Sequence, residues 1–195
     1  MVWAKAGTTT LTSSGDEIDI SMTTSSKFNM ILVHQLETGS SINSSYRVGN
    51  STVDTGSNYS RRTSNNGGAD STNDSMDKLS SFYGSIDDSG FAVGYFVNIA
   101  TEEKLFIVHG TGNDATGAGT APERREFVGK WSNTSDLIDT CRVFNEQNGS
   151  YDTDSNHTVI GSDGTESLNV QDGAIYYDTT LNKEYVLYNN TWTEV

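Results

Sequence analysis

The sequence contains very little cysteine, proline or positive charge. Its 195 residues include one Cys and one Pro. Because Cys141 is alone, no disulfide can form within the chain, and the fold gains nothing from an oxidising compartment. Cys141 alternates with polar residues in "SDLIDTCRVFNE", a stretch that predicts a strand, so we expect a buried structural thiol rather than a reactive one.

Basic residues are outnumbered by acidic ones. The chain has 12 Lys and Arg against 26 Asp and Glu, and its formal net charge is -14. A field of this sign repels nucleic acid and anionic membranes, so we expect neither as a partner. The same charge favours solubility and discourages non-specific association, which suits a protein present at high local density.

Long hydrophobic runs are missing as well. The N-terminal stretch "MVWAKAGTTTLTSSG" has no apolar core of signal-peptide length, and no segment is long enough to span a membrane. We therefore expect a protein that is synthesised in a cytoplasm and is not exported from it.

Along most of the sequence, apolar residues instead recur at every second position, in a chain rich in Ser, Thr, Asn and Gly. In "DEIDISM", Ile18, Ile20 and Met22 fall on one face of a strand. "KFNMILVHQLE" is apolar on both faces, which is typical of a central strand covered on both sides. Further runs of this kind are "GFAVGYFVNIA", "EKLFIVHG", "REFVGKWSN", "LIDTCRVFN" and "HTVIG". Separated by turn residues, they form the pattern expected of an antiparallel sandwich or barrel. Of these we expect an all-β antiparallel sandwich of jelly-roll type.

One segment, "DSMDKLSSFYGSI", has a different period. Its apolar residues recur at helical spacing behind an Asp74 or Ser75 cap, and Gly84 can end a helix there. The residues that share this spacing are Met76, Leu79, Tyr83 and Ile86. The pattern predicts one short surface helix.

The length suits one sizeable core and a small appendage, and we predict a sandwich domain over residues 1–164 and an aromatic β-meander over 165–195. The last residues, "DGAIYYDTTLNKEYVLYNNTWTEV", predict three short strands joined by "TTLNK" and by Asn189-Asn190. Side chains expected on one face of this meander are Ile175, Tyr177, Tyr185, Leu187 and Trp192. A sheet this small is not stable alone, so it either closes against its own core or contacts a neighbouring subunit.

The sequence shows no clear catalytic motif or cofactor motif. No nucleophile elbow occurs, and no pair of carboxylates stands in an apolar neighbourhood that would separate their pKa values. We expect His34 and His109, which lie in apolar strands, to be core histidines rather than metal ligands. The run "DTDSN" before His157 imitates the start of a calcium loop. It is read as a solvated acidic turn or as a loose calcium site at Asp152 and Asp154, and no other cofactor is expected.

Arg124, Arg125, Lys130 and Trp131 form the one basic and aromatic cluster of the chain. They either neutralise nearby acids, contact an acidic neighbouring subunit, or offer Trp131 as a platform for a sugar ring. Together with the terminal aromatics they are our candidate interface. The full set is Arg124, Arg125, Lys130, Trp131, Tyr176, Tyr177, Tyr185, Tyr188 and Trp192.

Two parts of the chain resemble phage proteins. The run "YFVNIATEEKLFIVHGTGNDATGAGTAPERREFVGKWSNTSDLIDTCRVF", followed by "HTVIGSDG" and preceded by "YSRRTSNNGG", resembles virion structural proteins of marine tailed phages. The likeness covers roughly residues 28–164. The closing "GAIYYDTTLNKEYVLYNNTWTEV" is similar to a short module of phage tail-fibre and other virion proteins.

The resemblance implies a location in a virion and no catalytic residue. We expect a non-enzymatic capsid decoration or head-fibre protein that self-associates as a trimer and attaches to a major capsid or tail protein of the same particle. A tail fibre is less favoured, because the chain lacks a long repetitive shaft. The alternatives are a module that binds a host surface glycan and, third, a glycan-degrading enzyme.

Overall fold

The computed structural model describes residues 3–23, 26–83, 88–113, 115–162, 173–188 and 191–195. These residues form fifteen β-strands and no helix. The chain divides into two compact units, Trp3–Asp163 and a smaller unit that contains Gly164–Val195.

The larger unit holds twelve strands. In chain order they are β1 (Ala4–Thr10), β2 (Glu17–Ser21), β3 (Phe28–Leu36), β4 (Ser44–Asn50), β5 (Thr52–Val53), β6 (Tyr59–Asn65), β7 (Ser71–Met76), β8 (Ser89–Val97), β9 (Lys104–Asn113), β10 (Glu123–Trp131), β11 (Thr140–Asn145) and β12 (Asn156–Ser162).

These strands form two antiparallel sheets with jelly-roll topology. The larger sheet has the order β1-β12-β3-β8-β9-β10-β6-β7 and the smaller has the order β2-β11-β4-β5. Strands pair from the ends of the chain inward, β1 with β12, β2 with β11, β3 with β8 and β4 with β5. This is the pairing of one long ribbon rolled into two sheets, so the predicted jelly roll is confirmed. The hairpins β9–β10 and β6–β7 extend the larger sheet beyond β8.

The core lies between the two sheets. Alternation along β2 and β4 turns Ile18, Ile20 and Tyr46 inward, and Ile31 on β3 meets them from the larger sheet. Cys141 on β11 is fully buried among them, as predicted. Burial raises its pKa to about 12, which keeps it a neutral thiol.

The predicted short helix is wrong. Ser71–Met76 is strand β7, and the following residues run without regular structure across the inner side of the larger sheet. The Leu79 and Phe82 N–H groups donate to the carbonyls of Tyr46 (3.0 Å) and Ser44 (2.9 Å) on β4. Residues 84–87, which include Gly84 and Ile86 of the prediction, lie outside the described residues.

The apolar side chains of this segment are core residues of the extended sheet. Leu79, Phe82 and Tyr83 are fully buried, and the Phe82 ring stacks on Phe127 of β10 at 6.4 Å between centroids. Gly110 on β9 admits the segment, since a Cβ at this position would lie 1.7 Å from the Phe82 carbonyl oxygen. The spacing that imitates a helix arises because an extended segment buries most of its apolar side chains in the sandwich.

The smaller unit contains a three-stranded antiparallel sheet, and the predicted β-meander is confirmed. Its strands are β13 (Ile175–Asp178), β14 (Lys183–Tyr188) and β15 (Thr191–Glu194). The first turn is held by Asp178, whose Oδ1 accepts from the N–H groups of Thr180 (2.8 Å) and Leu181 (3.0 Å). The predicted Asn189-Asn190 turn lies outside the described residues.

Candidate functional site

The larger sheet turns an apolar face away from the core. We call this the outer face and define it by the outward side chains of β12, β3, β8, β9 and β10. One row of directly paired residues crosses all five strands. Its members are Val128, Ile107, Tyr95, Met30 and Ile160.

Large apolar side chains of the outer face are open to solvent. Phe91, Tyr95, Leu105, Ile107 and Val128 are between 46% and 58% exposed. The sequence predicts that β3 is covered on both faces, and this is wrong for its outer side, where Met30 and Leu32 are only half-buried. Side chains of this size are normally placed in a core or an interface.

The outer face has few carboxylates. Along β3, β8, β9 and β10 the outward positions carry one acidic residue, Glu126, which lies 3.6 Å from Arg124 and 3.9 Å from His109. At the rim, Lys130 lies 2.8 Å from Glu103, and Arg62 on β6 lies 3.6 Å from an Asp70 oxygen. Each outward Arg or Lys of β6 and β10 thus has an acidic partner nearby, and the face is locally close to neutral.

The basic and aromatic cluster of β10 is divided between the two sides of the sheet. Arg124 and Lys130 point outward, whereas Arg125 and Trp131 point inward. Trp131 is 2% exposed, so the expectation that it offers a ring to a sugar or a partner is wrong. Arg125 Nε donates to Asn65 Oδ1 at 2.6 Å, and burial lowers its pKa.

Lys104, which the sequence did not single out, lies beside Trp131. Its side chain is fully buried, and its Nζ donates to the carbonyls of Ala100 (3.2 Å), Glu102 (2.9 Å) and Asn133 (2.8 Å). Burial lowers its pKa, although Asp136 and Glu102 act in the opposite direction. The ammonium group ties the β8–β9 loop to the end of β10 and has a structural role.

The expectation that His34 and His109 lie in the core is wrong, because both are exposed on the outer face. The third histidine, His157, is buried. His157 on β12 bridges the two sheets, with its Nδ1 donating to the Ile18 carbonyl (3.2 Å) and its Nε2 accepting from the Tyr46 hydroxyl (3.0 Å). Burial lowers its pKa to about 4, so it is neutral at pH 7.

The terminal sheet carries an aromatic cluster on one face. The Tyr176 ring stacks on Tyr185 at 6.1 Å and meets the edge of Trp192 at 5.8 Å. These three rings and Asp178 line a groove of about 350 Å³. Ile175 and Tyr177, which were expected on this face, lie on the other one, because Tyr176 is the residue that pairs with Tyr185.

The opposite face of the terminal sheet is also aromatic. Tyr177 and Tyr188 are 52% and 66% exposed there, and the Tyr177 hydroxyl donates to the Asn182 side chain. The five terminal aromatics of the candidate interface are therefore divided between two faces, three on the groove side and two on the other.

The predicted calcium turn is held by other contacts in this structure. Asp152 Oδ1 accepts from the Thr153 N–H at 2.7 Å, and the Asn156 amide donates to Thr10 Oγ1 at 2.7 Å. Within the described ranges, no three His, Cys, Asp or Glu side chains lie close enough to hold a metal ion. A calcium site at Asp152 and Asp154 stays a prediction.

Comparison of the chain with protein-family models, with curated proteins and with solved structures finds no match. In the part of the chain that the structure describes, no helix is long and apolar enough to cross a membrane.

Proposed function

We propose that the chain is a non-enzymatic structural protein of a phage virion, of the capsid decoration or head-fibre type. It acts by symmetric self-association, as a trimer, and by attachment to a major capsid or tail protein of the same particle. The observation that supports this proposal is the placement of apolar surface. In a chain of net charge -14, large exposed apolar side chains are concentrated on the outer face and on the terminal sheet.

Two separate apolar surfaces suit a protein that makes two kinds of contact. A structural subunit of a particle needs one surface for copies of itself and another for the component to which it attaches. The jelly roll supplies the rigid scaffold, and its acidic remainder keeps the unassembled subunit soluble. Neither contact requires a reactive group. Of the buried groups, His157 and Lys104 are hydrogen-bonded to structural partners, and Cys141 is a neutral thiol.

The test is the location of the protein in the phage that encodes it. Virions are banded by density, and the bands and the soluble lysate are probed with an antibody against the purified chain. We expect the chain in the virion band at a fixed ratio to the major capsid protein, and gold-labelled antibody on the particle surface. Recovery of the chain only from the soluble fraction would contradict the proposal.

A second candidate function, binding of a host surface glycan, is favoured by the groove of the terminal sheet. Tyr176, Tyr185 and Trp192 present ring faces and edges beside the Asp178 carboxylate, and an aromatic surface with a polar acceptor suits a sugar ring. The groove volume of about 350 Å³ lies in the range of small-molecule sites. This candidate applies equally to a tail-fibre location.

The glycan candidate is tested on a glycan array with matched aromatic variants. Saturable binding that is lost in Trp192→Ala and retained in Tyr188→Ala, on the opposite face, would support it. If the full chain binds no glycan on the array, this candidate function is refuted.

A further inference from the structure

We infer that the outer face of the larger sheet is the surface through which copies of this chain bind one another. The inference rests on the proposed function for its biological setting, and it names the surface that the self-association would use. It leaves the terminal sheet for attachment to the particle or to a glycan.

The apolar surface of the outer face continues from strand to strand. Val128, Ile107, Tyr95 and Met30 are direct neighbours on β10, β9, β8 and β3, and other rows of the same face add Leu105, Val93 and Phe91. A solvent-facing sheet normally alternates apolar residues on its inner side with polar residues on its outer side. Here both sides are apolar at the centre of the sheet, which is the pattern of a sheet buried between two layers.

The sheet face is also large. With strands about 4.8 Å apart and residues about 3.3 Å apart, the five strands of the outer face cover about 500 Å² over seven residues, and all eight strands of the sheet cover about 800 Å². A stable protein interface buries about 800 Å² on each partner, whereas monomers rarely expose a contiguous apolar patch larger than a few hundred Å². The whole sheet face is therefore large enough for a stable contact with a second copy, in which the outer face is the apolar centre and the polar strands β1, β6 and β7 are the rim.

The charge distribution of the outer face favours a second copy over another partner. Two subunits of net charge -14 repel one another except where carboxylates are few or paired. On the outer face the one outward acid of the central strands, Glu126, lies near Arg124, and the rim pair Lys130–Glu103 is closed within the chain. A basic or an acidic partner would find no unbalanced charge here, whereas the neutral apolar surface of another copy meets it without charge repulsion.

A recess at one end of the face can receive a side chain of a second copy. It lies between β6 and β9, has a volume of about 440 Å³, and is lined by Arg62, Asp74, Leu105, Ile107 and Val128 among others. A recess of this size accommodates an aromatic side chain, and Phe91 and Tyr95 are exposed aromatic side chains of the same face.

The experiment measures the solution mass of the full chain by light scattering over a concentration series. Ile107→Lys is compared with Leu181→Lys, a matched control in the terminal unit, where Leu181 is 59% exposed against 54% for Ile107. Both variants make the chain less acidic by the same amount, so a loss of association in one of them is not a consequence of added repulsion. Circular dichroism establishes that each variant is folded.

We expect the wild-type chain to form a closed oligomer. Ile107→Lys should raise its dissociation constant by at least about 30-fold, the effect of losing a residue at the centre of an interface, and Leu181→Lys should leave it unchanged. A wild-type chain that stays monomeric throughout, an Ile107→Lys variant that keeps the oligomer, or dissociation caused by Leu181→Lys alone would each overturn the inference.

A second measurement covers the case in which Ile107→Lys does not fold. Because Cys141 is buried, a single new cysteine reports its own exposure. Alkylation of Ile107→Cys should slow as the protein concentration rises, and alkylation of Leu181→Cys should not. An equal rate at all concentrations overturns the inference. Virion association is measured separately, so a monomer that co-purifies with particles would refute this surface and the proposed self-association, and would leave the proposed virion location standing.

Discussion

Trp131 Nε1 donates a hydrogen bond of 2.7 Å to Asp54 Oδ2. The same carboxylate accepts from the Gly56 N–H (2.7 Å) and from Asn58 Nδ2 (2.8 Å). It therefore holds the turn between β5 and β6 and also supplies the hydrogen-bond acceptor for the buried indole N–H. Burial acts to raise the pKa of Asp54, but the three hydrogen bonds outweigh it and the pKa is lowered. The carboxylate is therefore a structural anion of the sandwich rather than a candidate acid.

Replacing Asp54 should destabilise the larger unit. Asp54→Ala leaves the Trp131 N–H buried without its acceptor and releases the 54–58 turn, a loss of about 1–3 kcal/mol in the free energy of unfolding. Urea denaturation followed by tryptophan fluorescence measures it. Asp74→Ala, at an exposed position on β7, should change the free energy by less than about 0.5 kcal/mol. Equal effects of the two changes would contradict the role given to Asp54.

The buried His157 should make stability fall in mild acid. Its pKa is about 4 in the folded chain against 6.5 as the ordinary value, so the unfolded chain binds a proton first as the pH falls. The folded state consequently loses stability from about pH 6.5 downward, with a total contribution of about 3 kcal/mol by pH 4. Carboxyl groups also take up protons in part of this range. The prediction therefore concerns the difference in the pH dependence of stability between the wild type and a His157 variant.

That difference is obtained from urea denaturation between pH 7 and pH 4. His157→Gln is less stable at pH 7 because it loses contacts to Tyr46 and Ile18, but its stability should fall less with pH than that of the wild type. The same pH dependence in both proteins would show that His157 is not the group responsible.

The close approach of the Leu79–Tyr83 segment to β9 leaves no room at Gly110. Gly110→Ala places a Cβ against the Phe82 carbonyl and should displace the segment, at a cost of about 3 kcal/mol or more. Gly119→Ala is the matched control, since a Cβ added at that position would meet nothing within 4 Å. Calorimetry of the two variants should give a lowered melting temperature for Gly110→Ala only. An unchanged melting temperature for Gly110→Ala would refute the described packing.

Local period predicted seven strands of the larger unit, β2, β3 and β8 to β12, and an antiparallel sandwich or barrel, because each of these strands buries one face. It did not predict which face of β3 is inside, since Ile31 and Val33 on one side and Met30 and Leu32 on the other are equally apolar. The inner face is chosen by β4 and β11 across the sandwich, which are distant in sequence. The same uncertainty placed His34 and His109 in the core.

The β10 cluster carried a signal that could have located Trp131. Phe127 and Trp131 are four residues apart in a strand and share a face, while Arg124 and Lys130 share the other. If alternate residues of this run are assigned to opposite faces of the strand, the two rings fall on the same face, which is the core side. The Leu79–Tyr83 segment carried no such signal, because an irregular segment that lies in a sandwich has no period of its own.

The aromatic cluster of the terminal sheet gives a last prediction. Tyr176 contacts both Tyr185 and Trp192, so Tyr176→Ala removes two ring contacts, each worth about 0.5–1.5 kcal/mol beyond the area buried. We expect hydrogen exchange to accelerate in β13–β15 and to remain unchanged in β3 and β8 of the larger unit. Tyr188→Ala, on the opposite face and 66% exposed, removes no such contact and should leave the exchange of β14 near that of the wild type. Acceleration of the same size in both variants would mean that the terminal sheet depends on its backbone pairing and not on the ring cluster.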